Sequence, residues 1–123
     1  MTDASSSPIA VTVLGAGSWG TALALHAARR GHPTRLWTRS VEHFEAMRAE
    51  RVNRRYLAEF PFPDNLQVER DMATALDGAE LVILAIPSHA LRAALVQLRG
   101  VLAGLASAGR EPSPRYLIAA KGV

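Results

Sequence analysis

Short apolar runs alternate with segments of helical character along the whole chain. Strands are predicted at residues 9–14, 34–38, 66–69, 80–86 and 115–120. The first run, apolar nearly throughout, suits a parallel strand buried on both faces. Helices are predicted at residues 18–30, 41–51 and 71–76 and after residue 88. This alternation predicts an α/β fold: a doubly wound parallel sheet with helices on both faces.

A few residues with clear local preferences set the limits of these segments. Gly31 is predicted to end the first helix, and Ser88 is predicted to cap the last one. Prolines and an Asp-Asn pair indicate a loop at residues 53–66. Leucines spaced by four and three residues predict one apolar stripe on the last helix: Leu91, Leu95, Leu98, Leu102 and Leu105.

A glycine-rich turn, GAGSWG at residues 15–20, joins the first predicted strand to the first predicted helix. It fits the pattern G-x-G-x-x-G in the strand-to-helix context in which that pattern binds dinucleotides. Gly15 permits a tight turn, Gly17 lets a pyrophosphate approach the backbone, and Gly20 lets the helix pack close to the strand. Amides at the helix start would then face the phosphates. The alternative is a tight turn with no ligand.

The end of the second predicted strand bears on the choice of cofactor. A site specific for NAD usually places an Asp or Glu there to hold the ribose hydroxyls. This strand ends in Thr38, Arg39 and Ser40, without an acid. Arg39 is therefore predicted to meet a 2′-phosphate, which favours NADP or the use of both cofactors. An ordinary exposed arginine is the alternative.

Longer motifs add to the glycine pattern. They are GAGSWGTALA at residues 15–24, LW at 36–37, NRRYL at 53–57, PFPDNL at 61–66, AIPSH at 85–89 and AKG at 120–122. In this order and at these distances they resemble the bacterial-type NAD(P)-dependent glycerol-3-phosphate dehydrogenases. The resemblance covers residues 9–123 and implies a Rossmann-type domain that binds NAD(P).

The resemblance also implies roles for individual residues. In the family, the positions matching Ser18 and Trp19 contact the dinucleotide, and the position matching Arg39 contacts its adenosine end. The lysine matching Lys121 contacts both cofactor and substrate, at the sheet edge where open parallel sheets bind ligands. The implied cofactor-binding set is Gly15, Gly17, Ser18, Trp19, Gly20, Arg39 and Lys121. No catalytic residue is expected in this chain, because the family's general-base lysine belongs to a later helical domain, and no metal site is expected.

A structural role is an alternative to a functional one for Pro87, Ser88 and the histidines. Pro87 and Ser88 are expected to line the nicotinamide side of the cleft, or else only to stop a strand and cap a helix. His26 is expected to be a half-buried packing residue, on one stripe with residues 19, 22 and 23. No histidine is assigned a catalytic role, since His32 and His43 have no acidic partner at a telling spacing.

The implied reaction is hydride transfer between NAD(P)H and dihydroxyacetone phosphate, giving sn-glycerol 3-phosphate for glycerophospholipid biosynthesis. We expect residues 1–8 to form a disordered tail and residues 9–123 to form the dinucleotide-binding domain, without the helical substrate domain that would follow. Such a chain is expected to bind NADP(H) weakly and to turn nothing over, and the full-length protein is expected to form a homodimer. A non-catalytic nucleotide-binding module and another dehydrogenase of this fold, such as a ketopantoate reductase, remain open alternatives.

Composition narrows the kinds of site and partner that this protein can have. The 123 residues suffice for one domain, and 49% apolar residues supply a core. The absence of cysteine excludes disulfides, thiolate catalysis and Cys-based zinc sites. A net charge of +3 without a dominant basic run does not favour nucleic acid as a partner. No apolar run approaches the roughly 18 residues of a membrane span, and no signal peptide is recognisable, so we expect a cytoplasmic protein without membrane insertion.

Overall fold

A five-stranded parallel sheet forms the centre of the computed structural model, which describes residues 7–110 and 114–119. The strands are β1 (Val11–Leu14), β2 (Thr34–Trp37), β3 (Leu66–Glu69), β4 (Leu81–Leu84) and β5 (Arg115–Ile118). The helices are α1 (Ser18–Arg29), α2 (Val41–Glu50), α3 (Met72–Leu76) and α4 (Ser88–Ser107). The strand order β3-β2-β1-β4-β5 confirms the Rossmann-type, doubly wound fold.

The central strand β1 fixes where a ligand site lies in this sheet. Leu14 pairs with Trp37 of β2 on one side and with Leu84 of β4 on the other. The chain runs outward from β1 in both directions, so the crevice at the carboxyl end of β1 is the topological switch point. Open α/β sheets bind their ligands at this place.

Apolar side chains fill two layers, one on each face of the sheet. Val11 and Val13 point to the layer under α1 and α2, whereas Leu14 points to the layer under α3 and α4. The first layer is completed by Ala24, Leu25, Ala28, Leu36, Met47, Phe62, Leu66 and Val68, among others. The second includes Trp37, Met72, Leu76, Val82, Leu84, Ala94 and Leu98. β1 is buried on both faces and β4 nearly so, which explains their unbroken apolar runs, whereas every residue of β5 is exposed.

The helix ends follow local chemistry, with one correction. Gly31 ends α1 as predicted: its φ is 93°, and the amides of Gly31 and His32 donate to the carbonyls of Ala28 and Ala27. Ser88 is not the cap of α4, because Pro87 occupies that position with extended backbone and Ser88 is the first helical residue. A proline has no amide proton and is well tolerated at a helix start.

The expectation for α1 is wrong: His26 is exposed, because the helix buries the neighbouring face formed by residues 20, 21, 24, 25 and 28. The expectation for α4 holds with one exception. Leu98 is buried, and Leu91, Leu102 and Leu105 are partly buried against the same core, whereas Leu95 is 39% exposed.

Helix α4 also corrects the expectation about membrane spans. By length and composition it is apolar enough to cross a bilayer, with a mean hydropathy of 1.2. Arg92 and Arg99 interrupt the apolar run, which is why the sequence shows no continuous span. Ala94 and Leu98 of this helix pack into the core on one face of the sheet, and 11% of the apolar span is buried.

The predicted tail lies mostly outside the described residues, which begin at residue 7.

Candidate functional site

A cavity of about 530 Å³ opens at the carboxyl ends of β1, β2 and β4. The glycine loop forms its floor, and the segments after β2 and β4 form its sides. The size falls within the roughly 300–1,000 Å³ of small-molecule and cofactor sites. The cavity therefore lies at the switch point to which the fold directs a ligand.

The three loop glycines serve different purposes. Gly15 has a φ of 118°, and a Cβ there would collide with the Ala85 carbonyl. A Cβ on Gly20 would collide with the Gly15 carbonyl, so α1 packs closely onto the loop only because Gly20 has no side chain. A Cβ on Gly17 would meet no atom of the described chain within 4 Å, because it would project into open space. Folding therefore explains Gly15 and Gly20, whereas nothing in the packing of the described chain requires a glycine at position 17.

The start of α1 offers backbone donors to the cavity. No side chain caps this helix, and its first turn carries no acidic residue. The first amide of α1 to bond to a main-chain carbonyl is that of Thr21, which donates to the Gly17 carbonyl at 3.0 Å. Within the described residues, the amides of Gly17, Ser18 and Trp19 donate no hydrogen bond. Such a helix N-terminus binds anions through free amides and the positive end of the helix dipole.

The charged side chains of the cleft are cationic. Arg39, which follows β2, and Arg55, in the loop after α2, both line it and are exposed. No Asp or Glu is among the described residues that line the cavity. Ser40 lies beside Arg39 and caps α2 by accepting from the His43 amide at 3.1 Å. The arrangement favours an anionic ligand and lacks the carboxylate typical of NAD-specific sites.

One wall of the cleft consists of residues that sequence reasoning did not assign to the site. His43 and Tyr56 line the cavity, with ring centroids 5.8 Å apart. Asn53 lies behind them, fully buried, and its Oδ1 lies 2.9 Å from His43 Nε2. These contacts join segments 10 or more residues apart, so no local spacing pattern reveals them.

The opposite side of the cleft is apolar and open. Small side chains line it at Ala85, Ala90, Ala94 and Ala119. Pro87 lines it as well, as expected, whereas Ser88 is exposed on the first turn of α4 and is not among the lining residues. A flat, weakly polar ring would fit against this side.

The structure brings most of the candidate cofactor residues together. Six of them line the same cavity: Gly15, Gly17, Ser18, Trp19, Gly20 and Arg39. Lys121 lies outside the described residues, but Ala119, two positions earlier, lines the same cavity. Among the described residues, no group of three or more His, Cys, Asp or Glu side chains is placed to hold a metal ion.

Comparisons with known proteins agree with this geometry. The model of the family described as NAD-dependent glycerol-3-phosphate dehydrogenase N-terminus matches residues 10–123. The chain is 56% identical over 86 residues to a glycerol-3-phosphate dehydrogenase [NAD(P)+] of Methylococcus capsulatus, covering 69% of this chain and 26% of that protein. It is 44% identical over 114 residues to the protein of the same name from Pseudoalteromonas translucida, covering 89% and 34%.

The fold is likewise similar to a solved structure. The crystal structure of glycerol-3-phosphate dehydrogenase from Coxiella burnetii superposes with a TM-score of 0.82 at 34% identity, over 94% of this chain and 33% of that chain. A glycerol-3-phosphate dehydrogenase structure from yeast shares the fold with a TM-score of 0.66 at 24% identity. The chain thus spans about a third, or less, of the length of these relatives.

Proposed function

The chain belongs to the NAD-dependent glycerol-3-phosphate dehydrogenase family, whose N-terminal part it matches, and on this premise we propose that its cleft holds NADP(H) or NAD(H) for the interconversion of dihydroxyacetone phosphate and sn-glycerol 3-phosphate. The observation that carries the proposal is the open space at Gly17 beside free amides. Nothing in the packing of the described chain requires a glycine there, whereas a diphosphate does.

In this proposal the chain's own groups bind and orient the cofactor. The amides of Gly17, Ser18 and Trp19 donate to the diphosphate, and the dipole of α1 adds to their attraction for its charge. The alanine-lined side next to β4 receives the nicotinamide ring and excludes water from it. When bound, the nicotinamide supplies the hydride chemistry, which the protein itself cannot provide.

Arg39 is proposed to set the preference for NADPH. It lies where an acid would hold the ribose hydroxyls of NAD, and its guanidinium is suited to a phosphate through paired N–H donors. Arg55 adds a second positive charge to the same cleft. The expected order of affinity is NADPH before NADH.

Lys121 is proposed as a contact to both cofactor and substrate. It follows β5 by three residues, and Ala119 between them lines the cleft. An ammonium group at this edge would bind the phosphate or polarise the carbonyl of the substrate. For the whole protein we further propose a homodimer working in the cytoplasm, without membrane insertion, in glycerophospholipid biosynthesis.

Fluorescence titration tests the cofactor site directly. NADPH and NADH are added separately to the 123-residue chain, and the emission of the reduced nicotinamide is followed. We expect saturable binding, tighter for NADPH, that a competing NADP⁺ reverses. Emission that rises without saturation for both nucleotides would contradict the proposal. Equal affinities would remove only the role of Arg39.

A further inference from the structure

Asn53 lies beneath the glycine loop and behind the wall of the cleft that His43 and Tyr56 form. Its Nδ2 donates to the Ala16 carbonyl at 3.0 Å and to the Thr21 hydroxyl at 2.7 Å. Its Oδ1 lies 2.9 Å from Nε2 of His43. One buried carboxamide therefore joins the glycine loop, α1 and α2, although it lies 37 and 32 residues from its first two partners along the chain.

The orientation of this carboxamide is determined by its partners. The Ala16 carbonyl can only accept a hydrogen bond, so the nitrogen of Asn53 must face it. The oxygen of Asn53 then faces His43, whose Nε2 must carry a proton to donate. Both polar atoms of the Asn53 side chain thus have partners, as expected for a fully buried polar group.

The bond to Ala16 determines where the next amide points. Described peptide bonds are trans, so the carbonyl of Ala16 and the amide of Gly17, which belong to one peptide unit, point in opposite directions. Asn53 holds the carbonyl on the protein side of the loop. The Gly17 amide is therefore turned toward the cleft, where it has no partner within the described chain.

The main chain of Asn53 also shapes the other wall. Its carbonyl accepts from the amides of Tyr56 and Leu57 at 3.2 and 2.8 Å, which closes the turn that carries Tyr56 into the cleft. His43, held by the Asn53 side chain, lines the same wall. The glycine loop and the wall facing it are therefore connected through a single residue.

We infer that Asn53 is a positioning residue for cofactor binding, an inference that rests on the proposed function. By holding the Ala16 carbonyl and His43 at once, it directs the Gly17 amide at the diphosphate and fixes the separation of the glycine loop from the His43–Tyr56 wall. Asn53 touches no cofactor atom in this account. Its effect is carried by the groups that it holds.

The test compares two asparagines that play similar structural parts at opposite ends of α1. Asn53→Asp replaces the Nδ2 donor with an oxygen that faces the Ala16 carbonyl. Asn65→Asp does the same to a side chain whose Nδ2 donates to the carbonyls of Ala28 and His32 at 2.9 and 3.2 Å, away from the cleft. Melting temperature and NADPH affinity are measured for both variants, well below their unfolding transitions.

Both variants are expected to melt earlier, because each loses hydrogen bonds from Nδ2 and places a carboxylate oxygen against a main-chain carbonyl oxygen. Only Asn53→Asp is expected to bind NADPH more weakly, by roughly tenfold. Thr21→Val, which keeps the shape of the side chain but removes one Asn53 partner, is expected to weaken binding by about threefold, and Thr21→Ser is expected to restore it. The Thr21 pair keeps the test decisive if Asn53→Asp does not fold.

Three results would overturn the inference. One is NADPH binding by Asn53→Asp within twofold of the unsubstituted chain, while that chain itself binds. A second is an equal loss for Asn65→Asp, which would tie affinity to stability alone. A third, if Asn53→Asp does not fold, is equal binding by Thr21→Val and Thr21→Ser. An unsubstituted chain that binds neither nucleotide would overturn the proposed function, and with it this inference.

Discussion

Replacing Gly17 with alanine separates a glycine needed for binding from glycines needed for folding. Its backbone, with φ −76° and ψ −171°, is accessible to any residue, and its Cβ would project into the open cleft. Alanine there restricts the unfolded chain, which stabilises by about 0.4–1 kcal/mol. It is also a poorer helix cap than glycine, by a similar amount. The free energy of unfolding is thus expected to stay within about 1 kcal/mol of its original value.

Cofactor binding should respond differently to the same methyl group. If the diphosphate lies against Gly17, the added Cβ either overlaps it or forces it away from the amides. Overpacking of this kind typically costs about 1–3 kcal/mol, which corresponds to a loss of NADPH affinity of roughly 5- to 150-fold. Isothermal titration calorimetry measures the affinity, and thermal unfolding measures the stability of the same sample.

Gly20→Ala is the matched control, because its Cβ would overlap the Gly15 carbonyl and crowd Ala85. We expect it to lower the free energy of unfolding by about 1–3 kcal/mol or more, since α1 must move away from the loop. The reasoning is refuted if Gly17→Ala binds NADPH as well as the unsubstituted chain. It is also refuted if Gly17→Ala is as destabilised as Gly20→Ala.

Three further predictions concern charge, a helix end and pH. Arg39→Ala is expected to weaken NADPH binding by about tenfold and to leave NADH affinity within about twofold. Raising the salt concentration should narrow the difference in NADPH affinity between the variant and the unsubstituted chain, and calorimetry with both nucleotides measures these affinities. Gly31→Ala is expected to lower the free energy of unfolding by about 1 kcal/mol, because φ at this position is 93°. NADPH affinity should stay unchanged. Urea unfolding measures the stability, and NADPH titration measures the affinity. Burial raises the pKa of Tyr116 above 10.0, so its contribution to stability is fully present below pH 10 and is lost as the pH rises through the folded value. Stability is therefore expected to fall more steeply above pH 10 in the unsubstituted chain than in Tyr116→Phe.

The sequence predicted the fold because its local signals agree with one another. Each predicted strand and helix lies within two residues of the described element, and the G-x-G-x-x-G turn is at the carboxyl end of β1. Buried parallel strands need apolar residues on both faces, and tight turns need glycine, so both leave marks that can be read without the structure. Gly15, Gly17 and Arg39 could be assigned to one cleft for this reason.

The second wall of the cleft could not be predicted in the same way. His43 and Tyr56 line the cavity beside Asn53, whose side chain bonds to residues far away in the chain. No periodicity or spacing encodes such contacts. The buried face of α1 was misjudged for a related reason: adjacent helical rows carry similar apolar residues, and the packing against the sheet decides between them.

The direct test of the account is an NMR titration of the ¹⁵N-labelled chain with NADPH. Hydrogen bonds from the loop amides to a diphosphate should shift the resonances of Gly17, Ser18 and Trp19 strongly and saturably, with smaller shifts at Arg39 and Tyr56. Saturable shifts located elsewhere, with these three amides unchanged, would show that the glycine loop does not hold the dinucleotide.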